Sequence, residues 1–226
     1  MNSWLTQTLT IAGKDLRAEM RTKEALNASF AFSLVILVLF SFAFDPTSDE
    51  FKNFTGGLLW MTYSFAGALA LNRSFARELQ NDCLDGLVAA PLPGGVLFAG
   101  KALANYALLL GVEIVSLGVF AILYNIKILP HIAPLALVLA LATWAMTVIG
   151  TMFSALTVNL RMREMMLPIM TYPFLIPALM AAMVLTTDLL NGMPLSEDMI
   201  WVKLLVFFDV VFTVLAVILI DIVLVG

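Results

Sequence analysis

The sequence is poor in the side chains that carry most enzyme chemistry. It holds one cysteine, Cys83, and one histidine, His131, in 226 residues. A single cysteine excludes both an intramolecular disulfide and a cluster of cysteine metal ligands. The sequence also shows no Ser/His/Asp set, no histidine pair at metal-ligand spacing and no glycine-rich phosphate loop. We therefore predict that the chain is not an enzyme and does not hydrolyse ATP by itself.

Charged residues are scarce as well. They make up 12% of the chain, whereas ordinary soluble domains hold about 25%. Hydrophobic residues make up 62%, a balance typical of an integral membrane protein. The first apolar run begins near Ala25, behind an amphipathic and charged stretch, and no small-residue cleavage site follows it. We interpret this run as a retained span rather than as a cleaved signal peptide.

Apolar runs predict the fold class. A helix needs about 20 apolar residues to cross a hydrocarbon core of roughly 30 Å. Six runs meet or approach that length, at residues 26–44, 54–71, 102–124, 132–158, 165–186 and 200–225. We predict an all-α integral membrane protein with six transmembrane helices, in which residues 1–226 form a single domain.

The first 24 residues predict a helix of another kind. Apolar residues recur there every three or four positions, at Leu5, Leu9, Ala12, Leu16 and Met20. Basic residues gather on a neighbouring face, at Lys14, Arg17 and Arg21. The pattern predicts an amphipathic helix lying along the membrane surface, with its basic residues toward lipid headgroups or a partner. The alternative is a solvated helical arm.

The placement of lysine and arginine predicts the orientation. If the N-terminus is cytoplasmic, nine of the 12 basic residues lie in the cytoplasm, and only Lys52, Lys127 and Lys203 lie outside. We therefore expect both chain ends to be cytoplasmic. The outer loops are short, so the chain has no external domain of its own.

Residues 72–100, between the second and third spans, form the longest interval without lipid-soluble character. A helical wheel of residues 72–88 has a polar arc at Arg77, Glu78, Asn81, Asp82 and Asp85. The apolar arc opposite holds Phe75, Ala76, Leu79, Cys83 and Leu87. This spacing predicts an amphipathic helix at a water interface, ended by the proline and glycine group at residues 91–95. The orientation makes this segment cytoplasmic, where a soluble partner has access to it.

Several of these residues resemble a known family. Arg77-Glu78, Leu84, Asp85-Gly86-Leu87, Pro91 and Gly100-Lys101 are similar to the cytoplasmic segment between spans two and three of ABC-2-type permeases. More narrowly, the chain resembles the heme exporter protein B family in four places: 14–17, 71–78, 161–164 with Leu167-Pro168, and Pro173 with Pro177. The resemblance covers most of the chain. Asn81-Asp82 departs from it, because such proteins usually carry an acidic residue followed by glycine there, and this favours a continuous helix.

The resemblance implies an ABC-2-type exporter permease in the bacterial inner membrane. Such a permease forms a homodimer, and each copy contacts one ABC ATPase subunit, which binds the ATP. The implied coupling residues are Arg73, Phe75, Arg77, Glu78, Leu84, Asp85, Gly86, Leu87 and Pro91. The further implied partners are a heme-handling membrane subunit and a periplasmic heme chaperone, and no nucleic acid is expected. Heme is either the transported ligand of this chain or is handled by those partners.

Two acidic residues fall near the middle of predicted spans. At about 1.5 Å per residue, Glu113 lies about 18 Å from Lys101, and Asp209 lies about 14 Å from Ile200. Both are then near the bilayer midplane, where a bare charge is costly. We expect each to be protonated, hydrogen-bonded or facing a polar cavity or interface. One hypothesis is that they line a route or interface that moves during the ATP cycle. The alternative is a neutral acid bonded to a serine, threonine or backbone carbonyl of a neighbouring helix.

Two smaller features also allow two interpretations. His131 lies at the outer mouth of the fourth span, where a neutral imidazole is able to ligate heme iron. A lone histidine at an interface is more often only the polar end of a helix. Arg161, Arg163 and Glu164 form the second inner loop, which either follows the orientation rule or makes a subsidiary contact with the ATPase.

Two rivals to the heme-exporter interpretation remain open. The first is a permease of the same architecture that exports another substrate, such as a drug or a lipid-linked sugar. The second is a membrane scaffold that moves no solute and only assembles and releases a heme chaperone.

Overall fold

The computed structural model describes residues 4–46, 48–75, 93–158, 160 and 162–225. Within those ranges the chain forms seven α-helices and one 3₁₀ turn, and no strand. The helices are α1 Trp4–Thr22, α2 Glu24–Ala43, α3 Asp49–Leu71, α4 Gly94–Leu123, α5 Ile132–Thr157, α6 Arg163–Leu190 and α7 Met199–Val225. The 3₁₀ turn, Leu129–His131, directly precedes α5.

Six of the helices, α2 to α7, are long and apolar enough to cross a membrane. The predicted six-span, all-α fold is therefore confirmed, and the chain is a multi-pass membrane protein. The largest difference from the predicted spans is at α4, which begins at Gly94 rather than at residue 102. Pro93 explains it, because its carbonyl accepts the N–H groups of Val96 and Leu97 at 2.9 and 3.4 Å and so opens the helix.

Helix ends from distant parts of the sequence meet at one end of the bundle. This end, which we call the junction end, holds α1, the start of α2, the end of α3, the start of α4, the end of α5 and the start of α6. Contacts that define it include the Arg73–Glu24 ion pair and the hydrogen bond from Asn105 to Thr151. At the opposite end, Phe51 of α3 stacks on Tyr124, just after α4, with ring centroids 4.9 Å apart.

The core lies around α3 and α5. These are the most enclosed spans, with 67% and 56% of their apolar stretches buried, against 22–44% in the others. On α3, the indole N–H of Trp60 donates to Thr186 of α6 at 2.9 Å. Gly56 allows α3 and α6 to approach closely, since a Cβ there would lie 2.2 Å from the carbonyl oxygen of Met183.

Helix α1 packs along α4 and turns sharply into α2. It buries Thr8, Ile11, Ala12 and Glu19. The residues of the predicted apolar row lie in two environments, because Ala12 is buried whereas Leu5, Leu9 and Met20 are exposed. The helix is therefore apolar on two sides, one against α4 and one open. At the corner, Lys23 adopts a positive φ of 55°, and Glu19 accepts the Leu26 N–H at 3.0 Å.

Candidate functional site

A buried lysine lies where α1, the end of α3 and α4 meet. Lys101 of α4 is 1% exposed. Its Nζ lies 3.2 Å from Asp15 Oδ2 of α1 and donates to the Ser74 carbonyl at 2.8 Å. The same ammonium lies 4.7 Å from the centre of the Phe75 ring, a cation–π distance. Because a buried charge is costly unless it is paired, these contacts keep the lysine in place.

One helical turn further along α4, Asn105 extends the same polar group. Its side-chain amide donates to the Ser74 hydroxyl at 2.8 Å and to the Thr151 hydroxyl of α5 at 2.9 Å. Both amide N–H donors are thus used. The chain that leaves α3 at Ser74 is in this way bonded to α4 and, through Asn105, to α5.

Phe75 is the last described residue before the gap at residues 76–92, and it is fully buried. Its ring joins an apolar cluster built from α4, α5 and α7: Phe98, Ala102, Val148, Ala155, Val158, Ala216 and Ile220. We call the residues Asp15, Ser74, Phe75, Lys101, Asn105 and Thr151 the junction cluster. The cluster ties α1, α4 and α5 to the exit from α3.

The prediction of a helix from residue 72 is wrong for its first four residues, because Asn72 to Phe75 form turns. The N–H groups of Arg73 and Ser74 bond three residues back, to Ala70 and Leu71, at 3.1 and 3.0 Å. This tightening ends α3 and points Phe75 into the bundle, where apolar burial and the bonds to Ser74 outweigh continuation of the helix.

Gly100 explains how α1 comes close enough to reach Lys101. A Cβ at this position would lie 2.6 Å from the Cβ of Ile11 and 3.0 Å from the Thr8 carbonyl oxygen. Any larger residue would therefore push α1 away from α4. The glycine that precedes the buried lysine thus sets the distance across which Asp15 pairs with it.

The predicted coupling residues divide between the described chain and the gap. Arg73 is exposed and pairs with Glu24 of α2 at 2.7 Å, and Phe75 lies in the junction cluster. The others lie outside the described residues: Arg77, Glu78, Leu84, Asp85, Gly86, Leu87 and Pro91. Their role stays a prediction. Residues on both sides of the gap, Phe75 and Pro93, lie at the junction end.

The second inner loop is described only in part. Arg161 lies outside the described residues, whereas Arg163 and Glu164 are the first two residues of α6. Glu164 is exposed, and Arg163 is half-buried. Their contact with an ATPase stays a prediction.

Neither intramembrane acid faces lipid. Glu113 of α4 is 1% exposed, and its Oε2 accepts the hydroxyl proton of Thr143 of α5. This is the arrangement expected of a carboxyl group held by a threonine of a neighbouring helix. Asp209 of α7 is 7% exposed, and its Oδ1 has no hydrogen-bond partner among the described residues. Whether the two acids take part in movement stays a hypothesis.

His131 lies at the opposite end of the bundle, at the last position of the 3₁₀ turn. It is half-exposed, and its backbone N–H bonds to the Ile128 carbonyl at 2.9 Å. Among the described residues, no three His, Cys, Asp or Glu side chains come together as a metal site. Heme ligation by His131 therefore stays a prediction.

Sequence reasoning missed four polar residues that the structure brings into these groups: Asp15, Asn105, Thr143 and Thr151. One signal was available for Asn105. An amide four residues after Lys101 in an otherwise apolar run lies on the same face of the helix as the lysine. Asp15 lies in the family resemblance at 14–17, but neither it nor the two threonines shows its partner in the local sequence, because the partners lie on other helices.

Known proteins match this chain over most of its length. The family model described as CcmB protein matches residues 6–222. Heme exporter protein B of Rhodobacter capsulatus is 31% identical over 170 residues, which is 75% of this chain and 77% of that protein. The Paracoccus denitrificans protein of the same name is 31% identical over 167 residues, covering 74% and 76%. That of Pseudomonas aeruginosa is 26% identical over 192 residues, covering 84% and 85%.

Proposed function

The chain belongs to the CcmB protein family, and we propose that it is the membrane permease subunit of an ABC-type heme exporter complex in bacterial cytochrome c biogenesis. In this proposal a partner ATPase supplies the energy. The permease couples ATP hydrolysis to heme delivery, or to the release of a loaded periplasmic heme chaperone. Relatives that carry the name heme exporter protein B support the cargo.

The junction cluster is the observation that carries the coupling role. Phe75 and Pro93, the described residues on either side of 76–92, both lie at the junction end, and Lys101 lies two turns into α4. A flexible connection would not pass a displacement by a partner on to the helices. Here the exit from α3 is bonded to Lys101 and Asn105, so a displacement of the segment is passed to α1, α4 and α5.

The contacts of Lys101 favour movement of α1, the exit from α3 and α4 as a unit. Sliding Asp15 or Ser74 away from Lys101 would break contacts of an ammonium group that is 1% exposed. Weakening the pairing of a buried charge is unfavourable. A rigid-body shift of α4 together with α1 and the exit from α3 keeps these bonds and costs less. The cluster is thus suited to transmit force rather than to dissipate it.

The charge pattern supports a cytoplasmic junction end. Lys14, Arg17 and Arg21 of α1 and Arg73 and Arg163 all belong to that end, in agreement with the excess of basic residues on the cytoplasmic side of membrane proteins. In this orientation the segment 76–92 meets the ATPase. We propose that two copies of the chain, each with one ATPase subunit, work with a heme-handling membrane subunit and a periplasmic heme chaperone in the bacterial inner membrane.

Co-purification tests the proposed contact. The double variant Glu78→Lys/Asp85→Lys reverses two acidic charges of the segment, and we expect it to lower recovery of the ATPase at least about tenfold, because like charges at an interface repel. The matched control, Glu197→Lys/Asp198→Lys, reverses two acids between α6 and α7, at the opposite end of the bundle. It should recover the ATPase normally. Equal recovery with both double variants would refute the contact.

A further inference from the structure

Polar groups occur at one level in the middle of the apolar bundle. Glu113 lies about 15 Å before the end of α4, and Asp209 lies about 15 Å after the start of α7, at the same end of the bundle. With Tyr63 of α3, Ser116 of α4 and Thr143 of α5 they form what we call the midplane layer. All five side chains are buried. The layer joins the same helices, α4 and α5, that the junction cluster joins.

Three atoms of this layer are buried without a hydrogen-bond partner among the described residues. They are Glu113 Oε1, Ser116 Oγ and Asp209 Oδ1. Buried polar atoms are almost always bonded, and an unbonded one marks a reserve of strain, an ordered water or a functional group. Because three such atoms lie at one level, an isolated packing defect does not explain them.

Among the described residues, no cation forms an ion pair with Glu113. The titratable groups near it are Tyr63 of α3, whose hydroxyl donates to the Glu113 carbonyl at 2.9 Å, and Tyr106 of α4, which lies near both Glu113 and Asp209 of α7. Helix α7 also carries Lys203, about 9 Å nearer its start than Asp209. Helix α5 contributes Thr143 and has no charged residue, and the only charged residue of α2, Glu24, lies at the junction end. Those of α1 lie at the junction end too. The nearest cation along α4 is Lys101, about 18 Å away.

A carboxylate without a paired cation is disfavoured at this depth, and a neutral carboxylic acid is not. Thr143 donates its proton to Oε2, so the acid proton belongs on Oε1, the oxygen without a partner. We propose that Glu113 is a proton-binding site at the bilayer midplane, which holds a proton in this conformation and exchanges it when α4 and α5 move.

The exchange follows from the unbonded atoms. A shift of α4 against α5 lengthens the Thr143 bond and opens the layer to water or to a new acceptor, which then takes the proton from Oε1. The pH dependence that results belongs to the permease itself. It does not depend on heme as the cargo, so this inference and the proposed function fail separately.

Infrared spectroscopy of the purified chain in nanodiscs tests the bound proton. At neutral pH we expect a band in the carbonyl-stretch region of protonated carboxylic acids that Glu113→Gln removes. Glu197→Gln changes an exposed acid outside the helices and should leave that band unchanged. A spectrum of Glu113→Gln identical to that of the unchanged chain would overturn the proposal. No cargo or partner enters this measurement.

The complete complex tests exchange. Trapping the complex with ADP and vanadate should reduce the Glu113 band, and an unchanged band would overturn exchange. Glu113→Gln, which keeps the shape but not the removable proton, should lower the ATP-driven output about 5- to 150-fold, the usual size of coupling between sites. Glu113→Asp should retain output with a displaced pH profile. Full output from Glu113→Gln would assign the residue a purely structural role.

Discussion

A lysine enclosed by protein needs its charge balanced where it lies, and at Lys101 the balance comes from another helix. Asp15 of α1 supplies the negative charge, and its side chain is 20% exposed. The Ser74 carbonyl and the Phe75 ring supply further contacts. The partly exposed aspartate keeps some hydration, which lowers the cost of burying the pair. The lysine thus holds three separate pieces of chain together through one atom.

Stability measurements test this arrangement. We expect Lys101→Met to lower the free energy of unfolding by about 1–3 kcal/mol, because Asp15 keeps only its pair with the exposed Lys14 and the Ser74 carbonyl loses this donor. In Asp15→Asn/Lys101→Met part of that loss should return, since both partners of the buried ion pair are then uncharged. The measurement is denaturant or thermal unfolding in detergent.

The matched control is Arg73→Met, which breaks the exposed ion pair with Glu24. Exposed pairs contribute about 0–1 kcal/mol, so this variant should stay close to the unchanged chain. If Lys101→Met were no less stable than Arg73→Met, the buried pair would not hold the junction.

At this scale the sequence indicated the residue types but not their contacts. Lys101 directly precedes the predicted span 102–124, and its burial was not predicted. Its partner Asp15 lies 86 positions earlier in the chain. Local patterns do not contain such a pairing. Glu113 differs, because an acid in an apolar run predicts a bonding partner from burial cost alone, and Thr143 provides that partner.

Among the helices, close approach depends on glycine at a few crossing points. Gly56 is the clearest, because the α6 backbone and the Thr187 hydroxyl lie against it, and the Gly56 N–H donates to that hydroxyl at 3.1 Å. Without a hydrophobic force between helices in lipid, such small-residue contacts supply much of the packing. The α3–α6 contact therefore depends on the absence of a Cβ at Gly56.

A glycine-to-alanine pair tests this dependence. Gly56→Ala should destabilise the protein by about 1–3 kcal/mol, the usual cost of overpacking, because its Cβ would overlap the Met183 carbonyl oxygen. Gly111→Ala, in α4, meets nothing within 4 Å and should be neutral or stabilising. The measurement is the midpoint of thermal unfolding of each variant in detergent. Equal midpoints for the two variants would show that α3 and α6 are not in contact at Gly56.

Element boundaries were less predictable than the elements themselves. Helix α3 begins at Asp49, five residues before the predicted span, because the Ser48 hydroxyl accepts the Phe51 N–H at 3.1 Å. Phe51 then packs on Tyr124. The sequence pattern placed the polar residues of this first turn in a loop. The Ser48 cap and the distant aromatic contact stabilise them as a helix instead. Hydropathy alone contains neither contact.

Across the whole molecule, α4 connects the two polar regions. It carries Lys101 and Asn105 of the junction cluster and Glu113 of the midplane layer, about 18 Å apart along one helix. Movement at the junction end of α4 is therefore also movement at the midplane. In the proposed function this helix transmits the action of the ATPase on residues 76–92 to the interior of the bundle.

The number of spans and the family were predictable from the sequence, because apolar length and local motifs determine both. The arrangement of the spans was not. That α5 contacts α3, α4, α6 and α7 follows from complementary surfaces such as Gly150 against Leu71, which are distant in sequence. The coupling residues of the segment at 76–92 remain predictions, since they lie outside the described residues.

The most direct test of the central claim is the amount of heme delivered per ATP hydrolysed by the purified complex in proteoliposomes. For Lys101→Met we predict that the ATPase still binds and hydrolyses ATP while heme delivered per ATP falls at least about fivefold. Lys101→Arg, which keeps the charge, should recover part of the yield. An unchanged yield from Lys101→Met in an intact complex would contradict the account.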